Sequence, residues 1–381
     1  MKRVFNPKRL NQALMYRNVT VSELAERVGE QRQTISMYRN GKMDHIDMEK
    51  VSKISNVLKF PLQFFFEVDN IVEDGAVFFR SQLTAKKNYV YAQKMRLNFL
   101  IKIYRFLSDY IDFPKTKIPN CAGLAPEEAA SKLRDEWGLG TGPINNLVRI
   151  VEDNGIVVAC CSTKTDAIDA FSKRFIREGS EEVFIIGYSE NKKTAARIHF
   201  DIAHELGHIC LHNWDDDEEV DKEEFKERES EANRFAAAFL LPEKTFAIDA
   251  RKVNASIPAY AKLKEKWKTS IQAMIMRSKN LDLINYDTYQ KVIVDMQKRG
   301  LRKAEPLDDK LITAEPSVLR TAVMLLLENN VFNAAEFMER LSREGSISIY
   351  PEDVEELIGL PYGVLQKSRV LNFRNLALKG R

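Results

Sequence analysis

Residues 204–208 read His-Glu-Leu-Gly-His, and residues 229–242 read ESEANRFAAAFLLP. On a helix, His204 and His208 lie one turn apart on the same face. At that spacing two imidazoles chelate one metal ion, and Glu205 stands beside it as a general base. Ile198, Ile202, Leu206 and Ile209 give the helix, about 194–212, an apolar side that a core can cover. The apolar run Val183–Ile186 before it reads as a strand. A third ligand has to come from elsewhere. His212 is rotated about 80° off the line of the other two, so it suits packing or the support of a ligand better than ligation, and His199, about 140° from His204, is a still poorer candidate. His45 falls in a different region. A carboxylate on the next helix, about 223–240 and stopped by Pro242, serves better. Glu229 is the first choice, with Asn233 one turn on to hydrogen-bond a ligand histidine. Glu231, turned away by about 200°, is the fallback.

Residues 7–66 read as five short helices. Pro7 suits the first turn of one helix. Thr20-Val21-Ser22-Glu23 opens the next with a capping box, and Gly29 ends it. A third runs from about Gln31 to Asn40-Gly41. Asp47 caps a fourth, and Pro61 opens a fifth that carries Phe64, Phe65 and Phe66. The pair 20–28 and 31–40, joined by a tight turn, has helix-turn-helix dimensions. Ala25 permits a close crossing, and Val28 and Ile35 can hold the pair together. The outward residues of the second helix pair well with base edges: Gln with adenine, Arg with guanine. Gln31, Arg32, Gln33, Ser36 and Arg39 are therefore the candidate DNA contacts, and Lys42 is a candidate phosphate contact. Residues 1–66 hold twelve Lys and Arg against six Asp and Glu, a difference of +6, in a chain whose net charge is +3. A basic first domain suits a polyanion.

Two resemblances follow from these residues. Val21-Ser22-Glu23-Leu24-Ala25, Gln33-Thr34-Ile35-Ser36 and Arg39-Asn40-Gly41-Lys42 resemble the Cro/C1-type (XRE) repressor family over about 60 residues. The family pattern has an acidic residue where Arg39 stands. Arg197 to His208, followed by Glu229 through Pro242, resembles the ImmA/IrrE family of metallopeptidases, relatives of the gluzincins, over roughly 120–245. The family's Leu-Met-Pro ending is here Leu240-Leu241-Pro242. This resemblance implies His204, His208 and Glu229 as metal ligands, Glu205 as catalytic base and zinc as the metal, with manganese as an alternative. The oxyanion stabiliser is not identifiable. The implied fold is mainly α (α+β): an N-terminal five-helix lambda-repressor-like domain, a central gluzincin-like helical domain with a small β-sheet, and a C-terminal helical region. The expected domains are 1–67 for DNA binding, 68–119 a helical linker, 120–245 the metallopeptidase and 246–381 helical.

Between these landmarks, the sequence places a helix at roughly 84–112, another at 126–137, one opened by Pro143, and a strand at Ile156–Ala159. The length of 381 residues accommodates two or three domains. With 44% hydrophobic and 30% charged residues, the chain is globular. It has no apolar run of membrane-spanning length and no secretory leader. None of its four cysteines forms a CxxC pair, so neither a disulfide framework nor a zinc ribbon is expected. Residues 212–231 carry eleven acids against three bases; the run Asp215–Glu219 reads as a solvated loop. Phe78-Phe79-Arg80-Ser81 and Trp267 through Arg277 match fused regulators of the second family. The tail Val364–Arg381, with five bases and no acid, reads as a docked helix.

The expected function is a cytoplasmic, nucleoid-associated regulator that binds a double-stranded DNA operator as a homodimer. Its zinc domain is expected to cleave a partner repressor or antitoxin under stress. The rival readings are a metal- or ligand-sensing regulator without proteolysis, and the antitoxin of a toxin–antitoxin pair, which would grip a toxin.

Overall fold

The computed structural model describes residues 4–43, 46–67, 77–79, 87–161, 170–177, 181–189, 194–214, 221–302 and 304–366. The acidic run 215–219, Arg80-Ser81 and the tail from 367 lie outside the described residues.

The first region holds α1 (Pro7–Arg17), α2 (Val21–Val28), α3 (Arg32–Arg39), α4 (Met48–Leu58) and a 3-10 turn (Leu62–Phe66). Local chemistry sets these boundaries. Lys8 N donates to Asn6 at the start of α1, and Glu49 N donates to Asp47 at the start of α4. The capping box closes as Glu23 N donates to Thr20 Oγ1 at 3.2 Å and Thr20 N donates to Glu23 Oε2 at 2.7 Å. Gly29 ends α2 in the left-handed region at φ 72°, where glycine carries no Cβ penalty. The segment opened by Pro61 is a 3-10 turn, because only five residues follow before the chain extends again at Glu67.

The rest comprises β1 (Val77–Phe79), α5 (Lys87–Ser108), α6 (Pro126–Glu136), α7 (Leu147–Asp153), β2 (Ile156–Cys161), β3 (Ala170–Arg177), β4 (Glu181–Ser189), α8 (Ala195–Leu211) and α9 (Lys222–Leu240). It continues with α10 (Glu243–Arg251), α11 (Ile257–Trp267), α12 (Ile271–Asn280), α13 (Tyr286–Lys298), α14 (Val318–Glu328), α15 (Ala334–Arg343) and α16 (Pro351–Ile358). The chain is thus mainly helical with one small sheet. Pro143 opens no helix. Helix α7 starts four residues later, where Arg149 N donates to the side chain of Asn146. Helix α5 ends at Ser108, short of the expected 112; residues 84–86 lie outside the described residues.

The sheet order is β1-β3-β4-β2, with β2 and β4 parallel and the other pairs antiparallel. Its side chains alternate between two cores. Val157, Ala159, Cys161, Phe171, Val183 and Ile185 face one, which also takes in α1–α5 and the segment 319–365. Ile156, Val158, Ala170, Phe184, Ile186 and Tyr188 face the other, built on α6–α13. Burial on both faces explains why β2 and β4 read as unbroken apolar runs.

Helix α5 is the strut between the first region and the sheet. Tyr16 of α1 meets Phe99 edge-on at 5.6 Å, and Lys173 of β3 donates to Asn98 at 3.2 Å. The first region is also tied to the C-terminal helices. Arg17 pairs with Asp353 at 2.7 Å, and Gln63 donates to Ser342 and Ser348.

Candidate functional site

Helix α8 is buried along nearly its whole length, and α9 crosses it at Gly207. A Cβ at residue 207 would lie 2.9 Å from the Cα of Ala232. This close crossing brings His204 and His208 to Glu229 and Asn233. His204 Nε2 and His208 Nε2 are 3.0 Å apart. Glu229 reaches the first at 3.6 Å and the second at 3.3 Å. Each of the three offers one ligand atom within 4.8 Å of the others, the set expected of a metal site.

Proton placement tests whether that set fits a cation. The Nδ2 of Asn233 donates to the backbone oxygen of Glu229 at 2.8 Å, which fixes the amide orientation. Its Oδ1 therefore faces His204 Nδ1 at 3.1 Å. An amide oxygen can only accept, so His204 carries its proton on Nδ1 and presents a lone pair from Nε2. Burial pushes His208 down to about 4, and the neighbouring His204 ring adds to this, so His208 is neutral at pH 7. Glu229 supplies a carboxylate whose side chain is 19% exposed. Two neutral imidazoles and a carboxylate thus converge on one point. Zinc is bound by this donor chemistry; manganese suits a carboxylate-rich site better.

Glu205 is fully buried at 0% exposure. Its Oε2 accepts from the Ser172 hydroxyl of β3 at 2.5 Å. Sequence reasoning missed Ser172, which lies in a strand of mixed polarity. His199 points away from the cluster to Thr313 Oγ1 at 2.9 Å. His212 lies behind His208, and Glu231 contacts His212 at 3.3 Å instead of the cluster. A cleft of about 1160 Å³ opens beside Glu229 and Asn233, walled by Arg197, Phe200, Met276 and Arg277.

In the first region, Ile35 and Tyr38 anchor α3 in the core at 0% and 2% exposure. Gln31, Arg32, Gln33, Arg39 and Lys42 are exposed and Ser36 is half-buried, so all six candidate DNA contacts lie on or beside the solvent face of α3.

The family model for a helix-turn-helix domain matches residues 12–65, and that for an IrrE N-terminal-like peptidase domain matches residues 151–279. The second match extends beyond the expected 120–245 at its C-terminal side and takes in Trp267 through Arg277. No curated protein matches the chain. The solved structure of a Mycobacterium tuberculosis transcriptional regulator is similar at 19% identity with a TM-score of 0.30, over 48% of this chain and 51% of that one. The chain spans about half the length of that structure.

Desolvation of His199, His208 and His212 is expected to make the metal-free protein acid-sensitive. Burial pushes His199, His208 and His212 down to about 4 each, against about 6.5 in an unfolded chain. Between those values the unfolded state binds protons that the folded state does not, so stability falls as pH drops through this window. Thermal unfolding of metal-free protein at pH 7 and pH 5 should show a marked drop in Tm. An equal Tm at both would contradict the burial of neutral imidazoles.

Proposed function

We propose that this chain, a helix-turn-helix domain joined to an IrrE-like peptidase-family domain, is a DNA-binding transcriptional regulator with a zinc-dependent endopeptidase that cleaves a partner regulator. The division into a DNA-binding unit at 1–67, a helical connection at 68–119, the peptidase at 120–245 and a helical unit at 246–381 belongs to this reading. So does a homodimer on a two-fold operator. The observation that carries it is the convergence of His204, His208 and Glu229, with Glu205 on the same helix.

Zinc held by these three side chains supplies Lewis-acid activation of the carbonyl and acidifies the attacking water. The chain's own residues do the rest. His204, His208 and Glu229 orient the centre. Glu205 takes the water's proton and delivers it to the leaving amine, which requires its carboxylate to exchange the Ser172 hydroxyl for the reacting water. The cleft beside Glu229 gives an extended peptide room to lie.

One observation favours a second reading. Glu205 is sealed from solvent and bonded to Ser172, as suits a domain that senses a metal or ligand without turnover. Two variants separate the readings. Glu205→Gln should retain the metal and the fold yet abolish cleavage; Glu229→Ala should lose both metal and cleavage. Profiling of protein N-termini in cells making wild type or Glu205→Gln reads this directly. New termini dependent on Glu205 are expected. If none form and Glu205→Gln regulates its promoters normally, the sensor reading holds.

The exposed face of α3 supports sequence-specific duplex binding. Arg32→Ala should cost ~1–3 kcal/mol at one base position if Arg32 reads a guanine. Lys42→Ala should weaken all duplexes alike. Selection from a random duplex library, followed by anisotropy titration, checks both; no enrichment over random sequence would contradict the assignment.

A further inference from the structure

His208 and His212 meet through their Nδ1 atoms at 2.9 Å. Two imidazole nitrogens at that distance are hydrogen-bonded when one of them carries a proton, and the contact alone does not say which ring owns it. His212 Nε2 lies 3.3 Å from Glu231 Oε2, and a carboxylate oxygen only accepts. The proton of His212 therefore sits on Nε2 and points at Glu231. In the neutral ring, Nδ1 of His212 is then an acceptor. With a cation between the Nε2 atoms of His204 and His208, 3.0 Å apart, His208 supplies the shared proton from its own Nδ1 and keeps the Nε2 lone pair for the metal.

We propose that Glu231 and His212 are positioning residues: a two-link relay that fixes His208 in the Nδ1–H tautomer and holds its ring for the metal. This inference rests on the metal site proposed above and deepens it. The two histidines of the centre are braced differently. His204 is held by an amide, Asn233, and His208 by an imidazole backed by a carboxylate. A charged end to the relay makes His208 the more basic ligand. The three histidines stand at residues 204, 208 and 212, one turn apart along the C-terminal half of α8 and its cap. Glu229 and Glu231 reach successive members of that row from α9. The side chain of His212 is 4% exposed and that of Glu231 32% exposed, so the inner link is dry and the outer link meets solvent.

The test is zinc affinity of the full-length protein by competition with a chromophoric chelator. His212→Phe keeps a ring without an acceptor. It should weaken zinc binding by about 10- to 100-fold. His212→Asn restores an acceptor oxygen where Nδ1 stands and should recover most of the loss. Glu231→Gln still accepts from His212 and should stay close to wild type, whereas Glu231→Ala should weaken binding. Should His212→Phe fail to fold, Glu231→Ala and His212→Asn carry the comparison. Zinc affinity unchanged in both His212→Phe and Glu231→Ala would overturn the relay while leaving the metal site standing. A wild type that binds no zinc would overturn the site itself, and the relay with it.

Discussion

The approach of α8 and α9 at Gly207 and Ala232 is the constraint on which the candidate centre depends. Backbone meets backbone there, with space for a hydrogen and none for a methyl group. The contacts that bring the ligands together pair a side chain of α8 or its cap with one of α9: His204 with Asn233 and Glu229, His208 with Glu229, and His212 with Glu231. Helix packing distances follow the size of the residues at the contact. A larger residue at 207 would separate the ligand atoms together, not one by one. The apolar neighbours of the crossing, Leu206, Phe235, Ala236 and Phe239, are all buried at 0%, so the geometry is held by the core and not by the polar groups it serves.

The sheet connects this centre to the rest of the molecule. Ser172 and Lys173 are adjacent in β3 and point to opposite faces. The first reaches Glu205 beneath α8, and the second reaches Asn98 on α5. Helix α5 in turn packs on α1 of the DNA-reading region. A rearrangement that withdrew Ser172 from Glu205 would act on a strand that also touches the strut under the helix-turn-helix. Such contiguity is the minimum that coupling between the two ends requires.

Much of this was legible in the sequence, because it is local. The His-Glu-Leu-Gly-His spacing, the Glu229–Asn233 turn, the capping box at Thr20 and the outward face of α3 all follow from a period of 3.6 residues and the chemistry of helix ends. The misses were nonlocal. Strand β3 carries Ser172, Lys173 and Arg174 in its middle, so it lacks the apolar signature of β2 and β4, and its polar residues make sense only with α5 and α8 in place. Strand β1 is three residues long, and only its pairing with β3 reveals it. Pro143 looked like a helix start, yet Asn146 caps α7 instead. The angular argument placed His212 off the ligand line, but its pairing with Glu231 depends on how two helices cross. No residue spacing encodes that.

The central claim is that two imidazoles and a carboxylate of this chain bind zinc. X-ray absorption at the zinc edge of the purified full-length protein tests it most directly. The account predicts about one zinc per chain, with two imidazole nitrogens at about 2.0–2.1 Å, oxygen at about 2.0–2.2 Å and no sulfur. A sulfur shell near 2.3 Å, a single imidazole, or protein that retains no zinc would contradict it.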